Sequence, residues 1–310
     1  MATRPCLLLS LLLLVVSNAT TGCKDSEPVT PPSVEQVVRV HRDTSGADNL
    51  EVLSARYAVG PVAGDKTPER YVDFIGAVHL GEPEYFASLN KKFEEYDVVL
   101  FELVGDPTRL AELKVARRPS LLGSVQHKFG DLLGLSFQLD EIDYTKQNFT
   151  HADMTPEQMS DAMDARGESA FTMILKVLKL SFDPELQKEI KKTGYKSKVL
   201  DQMSPLSLLL RGPTSEERAE LKRYMAHSLV SSDKVLKALE GVAGGVLISD
   251  RNAVAVVKVK EQLDRGVKKI AVYYGVGHLP DMNIRFKENL QLQLASVWWT
   301  SAWKLGQPTP

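Results

Sequence analysis

The strongest constraint on this chain is a local pattern that occurs twice. "GAVHLGEPEY" begins at Gly76 and "GVGHLPDM" at Gly275. In each, an apolar run reaches a glycine, a histidine follows three residues later, and a proline with acidic neighbours opens the next segment. The runs "YVDFIGAV" and "VKKIAVYYGV" are short and rich in β-branched and aromatic residues, so they read as strands. Pro83 and Pro280 suit a first helical turn, where the missing N–H has no intrahelical partner to lose, and Glu82, Glu84 and Asp281 suit its positive end. Two strand–glycine–histidine–helix units require helices packed on a sheet, which predicts the α/β class.

The rest of the chain extends this reading. Between Val37 and Val78, "VVRVHR", "LEVLSARYAV" and "YVDFIGAV" are separated by the turn-rich "DTSGAD" and "GPVAGDKTPE", which predicts an antiparallel meander. A helix from Pro83 then leads to the apolar "YDVVLFELVG". This strand–helix–strand unit predicts two strands in one parallel sheet, with His79 and Glu102 at the carboxyl ends where open α/β sheets place their sites. Residues from about 106 to 245 read as a helical insertion: "MTPEQMSDAM" carries a capping-box pattern at Thr155 and Gln158, and "TSEERAELKRYMAHSLV" starts similarly. Its methionines, among them Met154, Met159, Met163 and Met173, suit core filling or a pliable pocket. In "GGVLISDRNAVAVVKVKEQLDRG", Ser249 or Asp250 is the expected cap of a helix that begins with Arg251 and Asn252 and ends at Gly266. "LQLASVWWTSAWKL" reads as a final strand. The predicted class is thus a mixed α/β sheet with an N-terminal meander, parallel strand–helix–strand units and a helical insertion.

The N-terminus has a different character. Arg4 precedes an apolar stretch from Leu7 to Val16, about half the ~20 residues of a membrane-spanning helix, and so it reads as an export signal over residues 1–22. "TTGC" then resembles a bacterial lipoprotein cleavage box, which would make Cys23 a lipid-bearing terminus tethered to a membrane. The alternative is a plain secretory signal and a soluble secreted or periplasmic protein. The polar, proline-bearing "KDSEPVTPPSV" completes a tether over residues 23–34, leaving residues 35–310 as one domain. Cys6 and Cys23 are the only cysteines, so the domain itself has no disulfide. A net charge of -2 without a basic block gives no reason to expect a nucleic-acid partner.

His79, Glu102 and His278, if they converge, offer two imidazoles and a carboxylate. That set suits a divalent metal ion with positions left open for water and substrate. Glu102 has two assignments, metal ligand or general base. Arg251 has the planar donors that would orient a substrate carboxylate or a developing oxyanion, and Asn252 could add a hydrogen bond. Of the other histidines, His41, His127 and His227 lack strand-end placement, while His151 in "THADM" sits at a site edge or a helix cap.

Four segments in order, "FIGAVHLGEPEYFASL", "YDVVLFELV", "SDRNAVAVVKV" and "AVYYGVGHLPDM", resemble the TraB/PrgY/GumN family, which includes the animal TIKI proteases. The similarity spans about residues 70 to 290 and is weakest in the helical middle. It implies paired GxxH motifs at His79 and His278, an acidic residue at Glu102, and an Arg-Asn pair at Arg251 and Asn252. Asp250 stands where family members often have Glu. The resemblance also implies a fold similar to the erythromycin esterase-like and ChaN-like proteins, and metal-dependent hydrolysis of a peptide or small-molecule substrate in the bacterial cell envelope. The alternative expectation is a non-catalytic envelope lipoprotein that captures haem, a metal or a peptide signal.

Overall fold

The computed structural model describes residues 33–61, 68–105, 130–167, 197–202, 211–230 and 245–307. These form strands β1 (Val38–Arg42), β2 (Asp48–Ala58), β3 (Tyr71–Ala77) and β4 (Leu80–Gly81), helix α1 (Pro83–Lys92), then β5 (Val98–Phe101), β6 (Ser136–Phe137), α2 (Gln138–Glu141), β7 (Phe149–His151) and α3 (Pro156–Asp164). The chain continues with α4 (Lys198–Gln202), α5 (Ser215–Val230), α6 (Arg251–Asp264), β8 (Lys269–Gly275), α7 (Leu279–Glu288) and β9 (Gln293–Gly306). The expected signal, Cys23 and most of the expected tether lie outside the described residues, as do His127 and Met173. Val34, the last residue of that expected tether, already packs in the core. No helix among the described residues is long and apolar enough to cross a membrane.

A mixed sheet of seven strands organises the chain in the order β1-β2-β3-β8-β5-β7, with β9 also paired to β2. β1, β2, β3 and β9 pair antiparallel, while β3, β8, β5 and β7 run parallel. The meander and the parallel units are both present. β3 and β5 share the sheet as parallel strands, but β8, from far along the chain, lies between them. The segment read as a helical insertion also supplies β7, which extends the parallel part beyond β5.

Burial on both faces explains the continuous apolar runs, and all seven residues of β3 are buried. Asp73 is the exception by chemistry. Arg56 Nε and Nη2 donate to its two oxygens at 2.8 and 2.7 Å, and the Tyr96 hydroxyl donates at 2.7 Å. Each carboxylate oxygen is therefore bonded, the condition under which a buried charge is tolerated.

α6 starts at Arg251 with Asp250 at its N-cap, as expected, but without the expected side-chain cap. A π-helical turn, Val246–Asp250, runs straight into it, and no side chain caps it; Ser249 Oγ instead accepts from Arg285 Nη2 at 2.8 Å. Its end is as expected, with Gly266 at φ 80. Gly266 N donates to Leu263 O and Val267 N to Gln262 O, which satisfies the last carbonyls. β9 then pairs along β2 from Ala58↔Gln293 to Asp48↔Gly306. On its other side, Glu82 N donates to Ala302 O at 2.9 Å and Trp303 Nε1 to Leu80 O at 2.6 Å. The C-terminal strand thereby braces the turn that carries His79.

Candidate functional site

Parallel pairing of β3 with β8 matches Gly76 to Tyr274 and Ala77 to Gly275, so the two glycine-histidine turns leave the sheet side by side. The two glycines are needed for different reasons. A Cβ at Gly76 would lie 2.3 Å from Leu53 O, so the adjacent strand forbids one. A Cβ at Gly275 would come within 3.2 Å of Glu102 Oε2, which occupies that space to accept from Gly275 N at 2.5 Å. After the glycines the motifs diverge. His278 ends a 3-10 turn and leads directly into α7, and it is buried. His79 is followed at once by β4 and is exposed.

Glu102 lies one residue beyond β5, at the carboxyl edge. Its Oε1 accepts from Arg251 Nη2 at 2.5 Å and lies 3.6 Å from His278 Nε2. Burial alone would raise this carboxyl, but the positive charge of Arg251, followed by His278 and His79, outweighs burial and holds it well below the usual carboxylate range. The ring of His79 is thus electrostatically part of the site, although it makes no hydrogen bond among the described residues.

Arg251 is not a free cation waiting for a substrate. Its Nε and Nη2 reach Asp153 at 2.9 and 2.6 Å, and the same Nη2 reaches Glu102. Burial opposes the guanidinium charge, and the Glu102 and Asp153 carboxylates more than restore it. In this geometry Arg251 holds Glu102 in place. Asn252 plays the corresponding part for His278: its Oδ1 meets His278 Nδ1 at 2.6 Å, and its Nδ2 donates to Asp281 Oδ2 at 2.7 Å.

Asp153 is the site residue that sequence reading did not single out. It is 4% exposed and is delivered by β7, only three residues long, whose exit is wholly engaged. His151 Nε2 pairs with Leu103 O at 2.7 Å, and Ala152 O accepts from the Tyr274 hydroxyl at 2.6 Å. The Tyr274 ring in turn meets His278 edge-on, with centroids 5.2 Å apart. The one signal in the sequence was an acid two residues after a histidine, and it equally fits a helix cap. His151, with that nitrogen occupied, braces the loop after Glu102.

The donor set can be tested against a divalent ion. Two ligands bound at ordinary lengths in tetrahedral geometry stand about 3.4 Å apart. The 3.6 Å separation of His278 Nε2 and Glu102 Oε1 fits such a pair, and an ionised carboxylate keeps lone pairs beyond those its hydrogen bonds use. The third ligand is not in position: among the described residues no three His, Cys, Asp or Glu side chains are grouped to enclose an ion. His79, expected as that third ligand, is exposed and acts on Glu102 only through its charge. In comparisons with known proteins, no family model matches the chain, and no curated protein matches it.

Proposed function

We propose that the protein is a metal-dependent hydrolase of the cell envelope, acting on a peptide or small-molecule substrate at the carboxyl edge of β3, β8 and β5. The observation that carries this reading is the His278–Glu102 pair, a buried imidazole nitrogen 3.6 Å from a carboxylate that Arg251 keeps ionised. The resemblance to the TraB/PrgY/GumN family supports the same residues. Export through residues 1–22 and lipidation at Cys23 belong to the proposal.

Each side chain has a part that follows from its contacts. Glu102, ionised at neutral pH, accepts a proton from water or ligates an ion through Oε1. Gly275 N and Arg251 fix its two oxygens so that neither needs reorganising during the reaction. His278 presents Nε2, and His79 stands at the exposed side where a substrate arrives. A divalent ion bound there supplies acidification of water and polarisation of a substrate carbonyl.

The test is metal content by elemental analysis of the purified protein, together with cleavage of a mixed peptide library, in the parent and in His79→Ala and His278→Ala. Near-stoichiometric divalent metal in the parent, lost with hydrolysis in both variants, is the expected result. A parent that stays metal-free in replete buffer, or metal retained by both variants, would overturn it.

A further inference from the structure

We infer that Asp281 is a positioning residue which, acting through Asn252, dictates which ring nitrogen of His278 faces Glu102. The inference rests on reading His278 and Glu102 as one site, and it deepens that reading.

Asn252 is fully buried, and its Nδ2 lies between two groups that can only accept: Asp281 Oδ2 at 2.7 Å and the His278 carbonyl at 3.3 Å. A side-chain amide turned by half a revolution would set its own oxygen against both. Its orientation is therefore forced by its partners. Oδ1 then faces His278 Nδ1 at 2.6 Å, and a ring nitrogen that meets a carbonyl oxygen at that distance must carry the proton. A neutral imidazole has only one such proton. Nε2, 3.6 Å from Glu102 Oε1, is left with its lone pair, the form in which an imidazole nitrogen ligates or accepts.

Asp281 is itself fixed. Arg285 Nε donates to the same Oδ2 at 2.6 Å, and Arg285 Nη2 donates to Ser249 Oγ at 2.8 Å. The relay Ser249–Arg285–Asp281–Asn252–His278 ties the first turns of α7 to the turn that precedes α6. A merely structural Asp281, answering the positive end of α7, would stabilise the helix without selecting a tautomer.

The experiment is a nitrogen NMR measurement on the full chain carrying 15N-labelled histidine, with no metal added. The pH is raised until the His278 ring shifts stop changing, and the signals are assigned by their loss in His278→Gln. The parent is expected to show a single tautomer, protonated at Nδ1 and unprotonated at Nε2. Asp281→Ala, which leaves only the longer 3.3 Å bond to the His278 carbonyl to hold the amide, is expected to lose that single tautomer and give a mixture of both. Asp281→Asn is expected to retain it, because Arg285 keeps the new carbonyl oxygen turned toward Asn252. Should Asp281→Ala fail to fold, Asp281→Asn combined with Arg285→Met frees the new amide to turn and should give the mixture. A parent protonated at Nε2, or a folded Asp281→Ala or Asp281→Asn/Arg285→Met protein with the tautomer unchanged, overturns the inference. The measurement needs neither bound metal nor turnover, so failure of the hydrolase reading shows separately in the metal analysis.

Discussion

Glu102 is under two opposed influences, and the balance has a sign that can be measured. Its folded carboxyl titrates below the ordinary value of 4.5, because the charges of Arg251, His278 and His79 outweigh burial. The stability it contributes is therefore fully present above pH 4.5 and is lost as the pH falls from there toward the lowered folded value. Urea midpoints at about pH 6 and about pH 3.5 should differ more in the parent than in Glu102→Gln. Under the hydrolase reading, the same variant should lose about 10²–10⁴-fold in turnover if Glu102 is the general base. Asp153→Ala would leave the buried Arg251 guanidinium without the partner that meets two of its nitrogens. It should cost about 3–5 kcal/mol in chemical denaturation. Glu102, Arg251, Asn252 and His278 were readable from local pattern and resemblance, and the structure brings these four together. Asp153 and Asp281's bond to Asn252 were not readable as site chemistry, because a buried acid and a helix-start acid are the same letter in a sequence.

Elements were readable where a residue's local conformation decided the outcome. The reciprocal bonds of the Thr155–Gln158 capping box are formed at α3, at 3.2 and 2.9 Å, and Thr214 with Glu217 repeats them at α5. Gly266 closes α6 as its left-handed φ requires. α6 begins at Arg251 as the sequence leads one to expect, but the chain enters it already helical through a π turn, so Asp250 at its N-cap makes no side-chain capping bond. The equivalence of the two glycine-histidine turns was likewise only local. Both follow a buried strand, yet one turns into β4 and the other into α7, so one histidine is exposed and the other buried. Gly76→Ala tests the element-scale argument, since its Cβ would meet Leu53 O at 2.3 Å. A loss of about 1–3 kcal/mol in a denaturant titration is expected from the forced backbone shift.

Across the whole molecule, the site depends on pairings between distant parts of the chain. β8 enters between β3 and β5 and sets the two turns together, while β9 runs back along β2 and reaches the Leu80–Glu82 segment. Trp303, 0% exposed and bonded through Nε1 to Leu80 O, anchors that return. Trp303→Ala should cost about 3–5 kcal/mol, measured by denaturation, because it opens a cavity and also leaves a buried carbonyl unpaired. By itself the sequence determined the α/β class, the strand identities of the apolar runs, the glycine-ended turns, several helix starts and the end of α6 at Gly266, because hydrophobic period, φ preference and capping chemistry act over a few residues. Only the tertiary structure decided the strand order, the insertion of β8, the burial of His278 but not of His79, and the use of Arg251 to hold Glu102. Those depend on which charges and surfaces meet across the sheet, and residues far apart in the chain carry no local mark of whom they will meet.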